Sequence, residues 1–403
     1  MSTSRTSTKR KIGAALPRRF GLARLLAGAT VLGLTLAACS DGGGGTASTS
    51  SAPSATPTAC PTTEVATPSA PDGGATPDRP SIPIAKTIAP SDTSTSEVVT
   101  ADGPQIECGT TDVEAHKDLV YASPSDTGKK IDLKLDVLTP AGGSATKPLV
   151  VYLPGGGFMQ AQKAAALDQR TYLAEQGYVV ASITYRTTAD GATYKEGVSD
   201  VKSAIRYLRA HADEYGIDPD RVAVWGESAG GYLAAMVGTT NGVKDFESGD
   251  HLDRSSDVQA VIDKFGASDL SKVGADYDDA AKAANVAPGN NLALYVYGPS
   301  GADKSVAEYT DEVAAADPAT YADGDDPAFL EMHGSKDRLI SPSQTLLLHE
   351  ALRAKGADST RYVLTGADHG DMAFMGDTEA GKPWITKKAL GYMVDFLDKQ
   401  LRA

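Results

Sequence analysis

The segment Arg221-Val222-Ala223-Val224-Trp225-Gly226-Glu227-Ser228-Ala229-Gly230-Gly231 decides the fold of this chain. Its first part has the apolar, β-branched character of a buried strand, and an apolar helical run follows it. A serine in so tight a strand-to-helix turn has a strained backbone, and side chains two positions away on either side must be absent, so glycines flank it. The segment therefore predicts an exposed, nucleophilic Ser228 rather than a glycine-rich turn that only packs a helix.

This strand is one of eight apolar runs that alternate with helical patterns from about residue 110 to the C-terminus. The run Lys130–Leu138 alternates apolar and polar residues, which predicts a half-exposed antiparallel strand, whereas Pro148–Leu153 is apolar throughout, as a buried central strand would be. Two antiparallel strands, then six with crossover helices, predict an eight-stranded, mostly parallel, doubly wound α/β sheet. A cap insertion is expected at about 270–325. The remaining runs are His116–Ala122, Tyr178–Tyr185, Arg221–Trp225, Val258–Phe265, Ala328–His333 and Thr360–Leu364, and the helical stretches are about 165–176, 198–215, 229–238, 342–354 and 385–401.

A glycine-rich loop, Pro154-Gly155-Gly156-Gly157-Phe158, follows the strand Pro148–Leu153. Glycines let backbone N–H groups approach a developing oxyanion, and the N–H of the residue after the nucleophile, Ala229, adds to them. No Gly-Lys-Ser/Thr follows, which argues against a phosphate-binding loop. Gly156, Gly157 and Ala229 are the predicted oxyanion donors, and Gly155 with Gly156 is the alternative pair in the loop.

Together with the turn around Ser228, four further sequence blocks resemble those of a known family: 150–158, 180–186, 200–215 and 216–222. Over about residues 130 to 400 the chain resembles the hormone-sensitive-lipase-like carboxylesterases, and among them the group of feruloyl and acetyl-xylan esterases. The resemblance implies the α/β-hydrolase fold. These families usually carry a histidine where this chain has Pro154, and that histidine helps to hold the loop.

The order of a catalytic triad in this fold is Ser, then Asp or Glu, then His. Four histidines follow Ser228, and His369 lies just past the last predicted strand, where a loop can fold back over the sheet. The others are assigned to a polar loop (His251), a strand end (His333) and an amphipathic helix (His349). His369 is therefore the predicted general base.

The predicted acid is Asp337, which follows the seventh strand at the position of the family's triad Asp. It would hold the imidazole tautomer and stabilise the charged imidazole. Asp269, after the sixth strand, is the alternative, and Asp368 is expected to point away.

The N-terminus of the 403-residue chain predicts export. Seven Lys and Arg precede any acid, and an uncharged apolar run from Leu25 to Ala38 is too short to span a bilayer comfortably, so residues 1–38 are interpreted as a signal peptide. Arg18-Arg19 faintly resembles a twin-arginine signal. Leu36-Ala37-Ala38-Cys39 resembles a bacterial lipobox, which implies lipidation of Cys39 and anchoring at the extracytoplasmic face of the cell membrane.

A Ser/Thr/Pro/Gly-rich stretch, residues 39–109, comes next and is predicted to be a disordered tether, because it has too few apolar residues to offset its ordering entropy. The catalytic domain is then residues 110–403. Cys60 and Cys108 are the two remaining cysteines, and outside the cytoplasm they could form a disulfide. A zinc site would need more ligands at tighter spacing.

The leading functional hypothesis is hydrolysis of carboxylic esters through an acyl-enzyme, with no metal or organic cofactor. A serine peptidase of the same fold and a non-catalytic binding lipoprotein are the alternatives. Removal of the signal peptide, with its seven Lys and Arg residues, would take the formal charge from −14 to −21. This negative charge argues against nucleic acid as a partner. The expected partners are a small-molecule or polysaccharide-borne ester and, through the N-terminal lipid alone, the membrane.

Overall fold

The computed structural model describes residues 57–62, 82–143, 145–370, 377 and 379–402. The predicted signal peptide and Cys39 lie outside the described residues. The described strands are β1 (Thr58–Ala59), β2 (Glu97–Val99), β3 (Glu107–Cys108), β4 (Val113–Ala122), β5 (Leu133–Pro140), β6 (Lys147–Leu153), β7 (Val179–Ile183), β8 (Ile217–Glu227), β9 (Ala260–Lys264), β10 (Ala328–Gly334) and β11 (Ser359–Leu364). The described α-helices are α1 (Leu167–Glu175), α2 (Tyr194–Ala210), α3 (Ala212–Tyr215), α4 (Ala229–Thr239), α5 (Asp279–Asn285), α6 (Asn291–Tyr297), α7 (Asp311–Ala314), α8 (Ser343–Lys355) and α9 (Lys387–Leu401). Short 3₁₀ turns lie at Thr188–Asp190, Lys244–Phe246, Leu270–Lys272, Gly298–Gly301, Pro318–Thr320 and Lys382–Ile385.

Nine of the described strands form one sheet, in the order β2-β11-β10-β9-β8-β6-β7-β5-β4. The β5 strand pairs antiparallel with β4 and β7, and the other neighbouring pairs are parallel. The mostly parallel, doubly wound α/β sheet is therefore confirmed. The expectation of two antiparallel strands is corrected to one strand, β5, that runs against the rest of the sheet.

Helices cover both faces of the sheet, which explains why the central strands are apolar throughout. Along β8, Val222 and Val224 belong to the core under α2, α4 and α8, whereas Ala223 and Trp225 belong to the core under α1 and α9. Successive side chains of a strand point to opposite faces, so a strand buried on both sides shows no polar alternation. Because these strands are parallel, their carboxyl ends lie at one edge of the sheet, where the loops that follow them come together.

The sequence predicted eight strands and a tether that ends at residue 109. Both predictions are wrong, because the sheet has a ninth strand that lies within the predicted tether. Residues 97–99, assigned to the tether, form β2, which pairs in parallel with β11 in the register Glu97↔Tyr362 and Val99↔Leu364. Three residues are too few to show a periodicity, and the Ser/Thr-rich surroundings conceal them. Backbone pairing at a sheet edge holds this strand, since Val98 remains 57% exposed. The part of the predicted tether between residues 82 and 109 is therefore packed onto the domain.

Cys60 and Cys108 form a disulfide in the structure, with their α-carbons 4.7 Å apart. The bond lies beside the short antiparallel pair of β1 and β3, and both cysteines are buried against the core under α1 and α9. Among the described residues, no helix is long and apolar enough to cross a membrane.

Candidate active site

The turn between β8 and α4 places Ser228 in a strained backbone conformation, with φ 56° and ψ −121°. A β-carbon on Gly226 would lie 1.9 Å from the carbonyl oxygen of Gly230, and one on Gly230 would lie 2.0 Å from that of Leu153. Both positions therefore require glycine, as the sequence pattern predicts. The Ser228 N–H donates to the Lys264 carbonyl at 2.9 Å, which ties the turn to the end of β9.

The glycine loop after β6 turns through three successive positive φ angles, at Gly156 (145°), Gly157 (60°) and Phe158 (63°). Among the residues that the structure describes, the amide N–H groups of Gly155, Gly156 and Gly157 donate to no protein acceptor. The N–H of Ala229 opens α4 and is one of the donors that a helix leaves unpaired at its N-terminus. The loop and the helix thus offer unpaired N–H groups on either side of the β6–β8 edge.

Residues outside the loop donate hydrogen bonds to three of its carbonyls. The Tyr185 hydroxyl donates to the Pro154 carbonyl at 2.6 Å. The Thr188 N–H donates to the Phe158 carbonyl at 2.9 Å. Asn291 Nδ2 donates to the Gly157 carbonyl. Because a carbonyl and the next N–H share one plane, fixing the Pro154 carbonyl also aims the N–H of Gly155. These contacts secure the loop that begins at Pro154.

The helix α6 contacts the glycine loop through two side chains on one face. Asn291 and Tyr295 are four residues apart, and the Tyr295 ring stacks on the Phe158 ring with centroids 4.2 Å apart. Asn291 Oδ1 also accepts a hydrogen bond from the Thr188 hydroxyl at 2.7 Å. The segment at 270–325 therefore contacts the glycine loop directly.

His369 and Asp337 meet at the carboxyl edge of the sheet, after β11 and β10. His369 Nδ1 lies 2.8 Å from Asp337 Oδ2, and both side chains are buried. Asp337 Oδ1 accepts two backbone N–H groups, from Leu339 and Ile340, each at 2.9 Å. These bonds point the carboxylate at the imidazole.

A second histidine also faces Asp337: His333 Nε2 lies 3.2 Å from its Oδ2. Burial by itself raises the pKa of the Asp337 carboxyl, but the charges and hydrogen bonds of His369 and His333 outweigh burial and hold that pKa well below its usual value. Asp337 therefore remains a carboxylate at neutral pH.

The alternative acids are used elsewhere. Asp269 caps the turn that follows it, bonding to the Ser271 N–H at 3.0 Å and to Lys272 Nζ at 2.8 Å. Asp368 accepts from the backbone of Arg338 and pairs with its guanidinium, so it points away from the imidazole beside it. Within the described ranges, no cluster of three or more His, Cys, Asp or Glu side chains could hold a metal ion.

The BD-FAE family model matches residues 135–352, a span that includes Ser228 and Asp337 but ends before His369. The chain belongs to the BD-FAE family.

Curated relatives of this BD-FAE member include Esterase LipC of Mycobacterium tuberculosis, which is 30% identical over 55% of this chain and 53% of its own length. Isoprenylcysteine alpha-carbonyl methylesterase ICME of Arabidopsis thaliana is 26% identical over 62% of this chain and 56% of its own. The chain thus spans about half the length of the curated relatives that it matches.

Among solved structures, a truncated carbohydrate esterase from gut microbiota is 26% identical with a TM-score of 0.58, over 75% of this chain and 100% of that one. Esterase Est2 of Thermogutta terrifontis is 26% identical with a TM-score of 0.54, over 72% of this chain and 92% of that one. Together with the sheet order, these similarities show that the fold is the α/β-hydrolase fold.

One buried polar network in this BD-FAE member was not expected from the sequence. Lys264 Nζ lies 2.6 Å from Glu227 Oε1 and 2.8 Å from Gln169 Oε1, and Tyr152 donates to Glu227 Oε2 at 3.2 Å. The network joins α1, β6, β8 and β9 directly behind Ser228. Its sequence signal is the lysine itself, a charge that follows Asp263 at the end of a buried strand.

The contact of Asn291 with the Gly157 carbonyl was also not expected, and the sequence carries no signal for it. The two residues are far apart in the chain, and asparagine is common in loops and caps for unrelated reasons.

Proposed function

We propose that this protein is a serine hydrolase that cleaves carboxylic esters through an acyl-enzyme, with Ser228, His369 and Asp337 as its catalytic triad. The observation that carries the proposal is the 2.8 Å contact between His369 and Asp337, at the same sheet edge as the strained turn of Ser228. The relatives whose names include esterase, methylesterase and carbohydrate esterase support the same reaction class.

In the proposed mechanism, Ser228 Oγ attacks the ester carbonyl carbon while His369 accepts its proton. The negative charge that develops on the carbonyl oxygen is held by the N–H groups of Gly156, Gly157 and Ala229. The intermediate then expels the alcohol, which takes the proton from His369, and leaves an acyl group on Ser228. Water repeats the sequence and releases the acid, so the enzyme returns to its starting state.

Asp337 has a positioning and electrostatic role in this mechanism. Its low pKa keeps it ionised, so it accepts the Nδ1–H of His369 and leaves Nε2 as the proton acceptor. Its negative charge stabilises the imidazolium that forms when Ser228 loses its proton.

A fluorophosphonate probe tests the nucleophile. It should label Ser228, and Ser228→Ala should abolish labelling and nearly all ester hydrolysis, because only an activated serine is nucleophilic near neutral pH. Ser300→Ala, at an exposed serine, is the matched control and should leave both unchanged. Asp337→Asn should lower kcat strongly by fixing the wrong imidazole tautomer. Full activity of Asp337→Asn, or of Ser228→Ala, would contradict the assignment.

We propose a carboxylic ester as the substrate class. An acyl-chain series of p-nitrophenyl esters, assayed beside acetylated xylan and a peptide substrate, separates a small-ester hydrolase from a polysaccharide esterase and from a peptidase. Hydrolysis of the peptide without hydrolysis of any ester would contradict the proposal.

We also propose that the protein is exported and anchored by lipid at Cys39. The support is the motif Leu36–Cys39 at the end of an apolar run, together with the Cys60–Cys108 disulfide, a bond typical of oxidising compartments. The mature protein should fractionate with membranes, and Cys39→Ser should stop its lipidation. A wild-type protein that is wholly soluble and begins elsewhere than Cys39 would contradict the anchor.

A further inference from the structure

Residues 82–89, which we call the strap, lie outside the family match, and the sequence assigned them to the tether. The strap has no helix, and its sheet-like pairing is a single antiparallel bridge between Ile88 and Tyr277. It nevertheless packs closely on the domain: Ala85 is 2% exposed.

The strap contacts the loop that carries the proposed acid. The Ala85 N–H donates to the Arg338 carbonyl at 3.0 Å, and Ile82 and Ile84 pack against the small apolar cluster that Leu339 forms with Ala380. Leu339 in turn donates its N–H to Asp337 at 2.9 Å. One residue thus separates the strap from the carboxylate that orients His369.

The strap also reaches the glycine loop. Ile82 Cδ1 lies 2.8 Å from the point where a β-carbon on Gly157 would be, and Met159 Cε lies 3.4 Å from the same point. The two side chains form an apolar wall over the α-carbon of a proposed oxyanion donor.

The other end of the strap is fixed to the insertion at 270–325. The N–H groups of Lys86 and Thr87 donate to Asp278 Oδ2 at 2.8 and 3.3 Å, and the Ala89 N–H donates to the Asp276 carbonyl at 2.7 Å. Backbone hydrogen bonds from Ala85 to Ala89 therefore hold the strap, and Ile82 lies three residues before the first of them.

We propose that the strap forms a wall of the substrate site and that Ile82 is a specificity-determining residue, which limits the size of the ester substituent that passes Gly157. This inference rests on the proposed esterase function. A hydrophobic wall discriminates between substituents by about 10- to 200-fold per methylene, so removing most of the Ile82 side chain should relax selectivity on that scale.

The test measures kcat/KM of the full-length chain for two ester series, one that lengthens the acyl group and one that lengthens the alcohol. Ile82→Ala should raise the ratio of long to short substrates by about tenfold or more in one series, which identifies the group beside Ile82. Ile82→Trp should lower the same ratio. Val120→Ala, at a 44% exposed position on the distant edge strand β4, is the matched control and should leave both ratios unchanged.

Melting temperatures of all variants show whether each is folded under the assay conditions, and Ile82→Val, which removes one methylene, gives a milder change at the same position. Ratios that stay at the wild-type value in both series for Ile82→Ala and Ile82→Trp would overturn the inference. That result differs from failure of the proposed function, in which the wild-type protein hydrolyses no ester or Ser228→Ala remains active.

Discussion

Replacing Lys264 by Met should destabilise the domain through the carboxylate that it leaves behind. The side chains of Lys264 and Glu227 are 1% and 9% exposed, and their charged atoms are 2.6 Å apart. Removing one partner of a buried ion pair costs about 3–5 kcal/mol, because the other charge remains buried without compensation. Glu227 keeps hydrogen bonds from Tyr152 and Gln169 at 3.2 and 3.3 Å, so the lower part of that range is expected.

The assay is thermal melting at neutral pH. A domain of this size loses about 2 °C of melting temperature per kcal/mol, so Lys264→Met should melt about 6–8 °C below the wild type at neutral pH.

Two further variants separate this cause from simple loss of packing. The double variant Glu227→Gln with Lys264→Met removes the uncompensated charge and should recover most of the lost stability. Lys272→Met breaks an ion pair of similar length, 2.8 Å, in which the lysine side chain is 57% exposed, and it should cost at most about 1 kcal/mol. A Lys264→Met protein that melts within about 2 °C of the wild type, or a double variant as unstable as the single one, would refute the reasoning.

Three other predictions follow from described residues. Burial in β9 raises the pKa of Asp263 to about 7, so thermal stability should fall as the pH rises from about 4 to about 7. Asp263→Asn should flatten that dependence when melting is measured at several pH values. Equal slopes of melting temperature against pH in the variant and the wild type would contradict the prediction. Gly156→Pro deletes a proposed oxyanion donor and should lower kcat about a hundredfold or more in a protein shown by melting to be folded, whereas Pro154→His should change kcat by less than about tenfold. Mass spectrometry of native protein should recover Cys60 and Cys108 in one disulfide-linked pair, and two free thiols would count against the bond.

The eight expected strands all exist, within a few residues of their expected bounds. Burial on both faces of the sheet leaves a continuous apolar run at the central strands, and burial on one face leaves the alternation seen at Lys130–Leu138. The edge strand β2 was not expected. Its three residues are held by backbone hydrogen bonds to β11, which any sequence can make, so composition gives no sign of it.

The helical insertion at 270–325 was expected only as a cap of unspecified contacts. The structure shows that α6 faces the glycine loop through Asn291 and Tyr295. Short helices of this kind owe their place to packing against the rest of the domain rather than to their own propensity, so their contacts do not follow from local sequence.

The sequence by itself determined the features that depend on neighbouring residues. The glycines around Ser228 are required by clashes within a few residues of the turn, and such short-range steric limits are visible in any chain that obeys them. The order of the candidate triad residues along the chain is a property of the sequence alone.

Only the tertiary structure decided which distant residues meet. It brings His369 to Asp337 rather than to Asp269, places Lys264 beside Glu227, and lays Ile82 against Gly157. Such contacts join residues brought together by the sheet order and by the course of the loops at its edge. A side chain's identity limits the bonds that it can make, but the packing of the whole domain selects its partner.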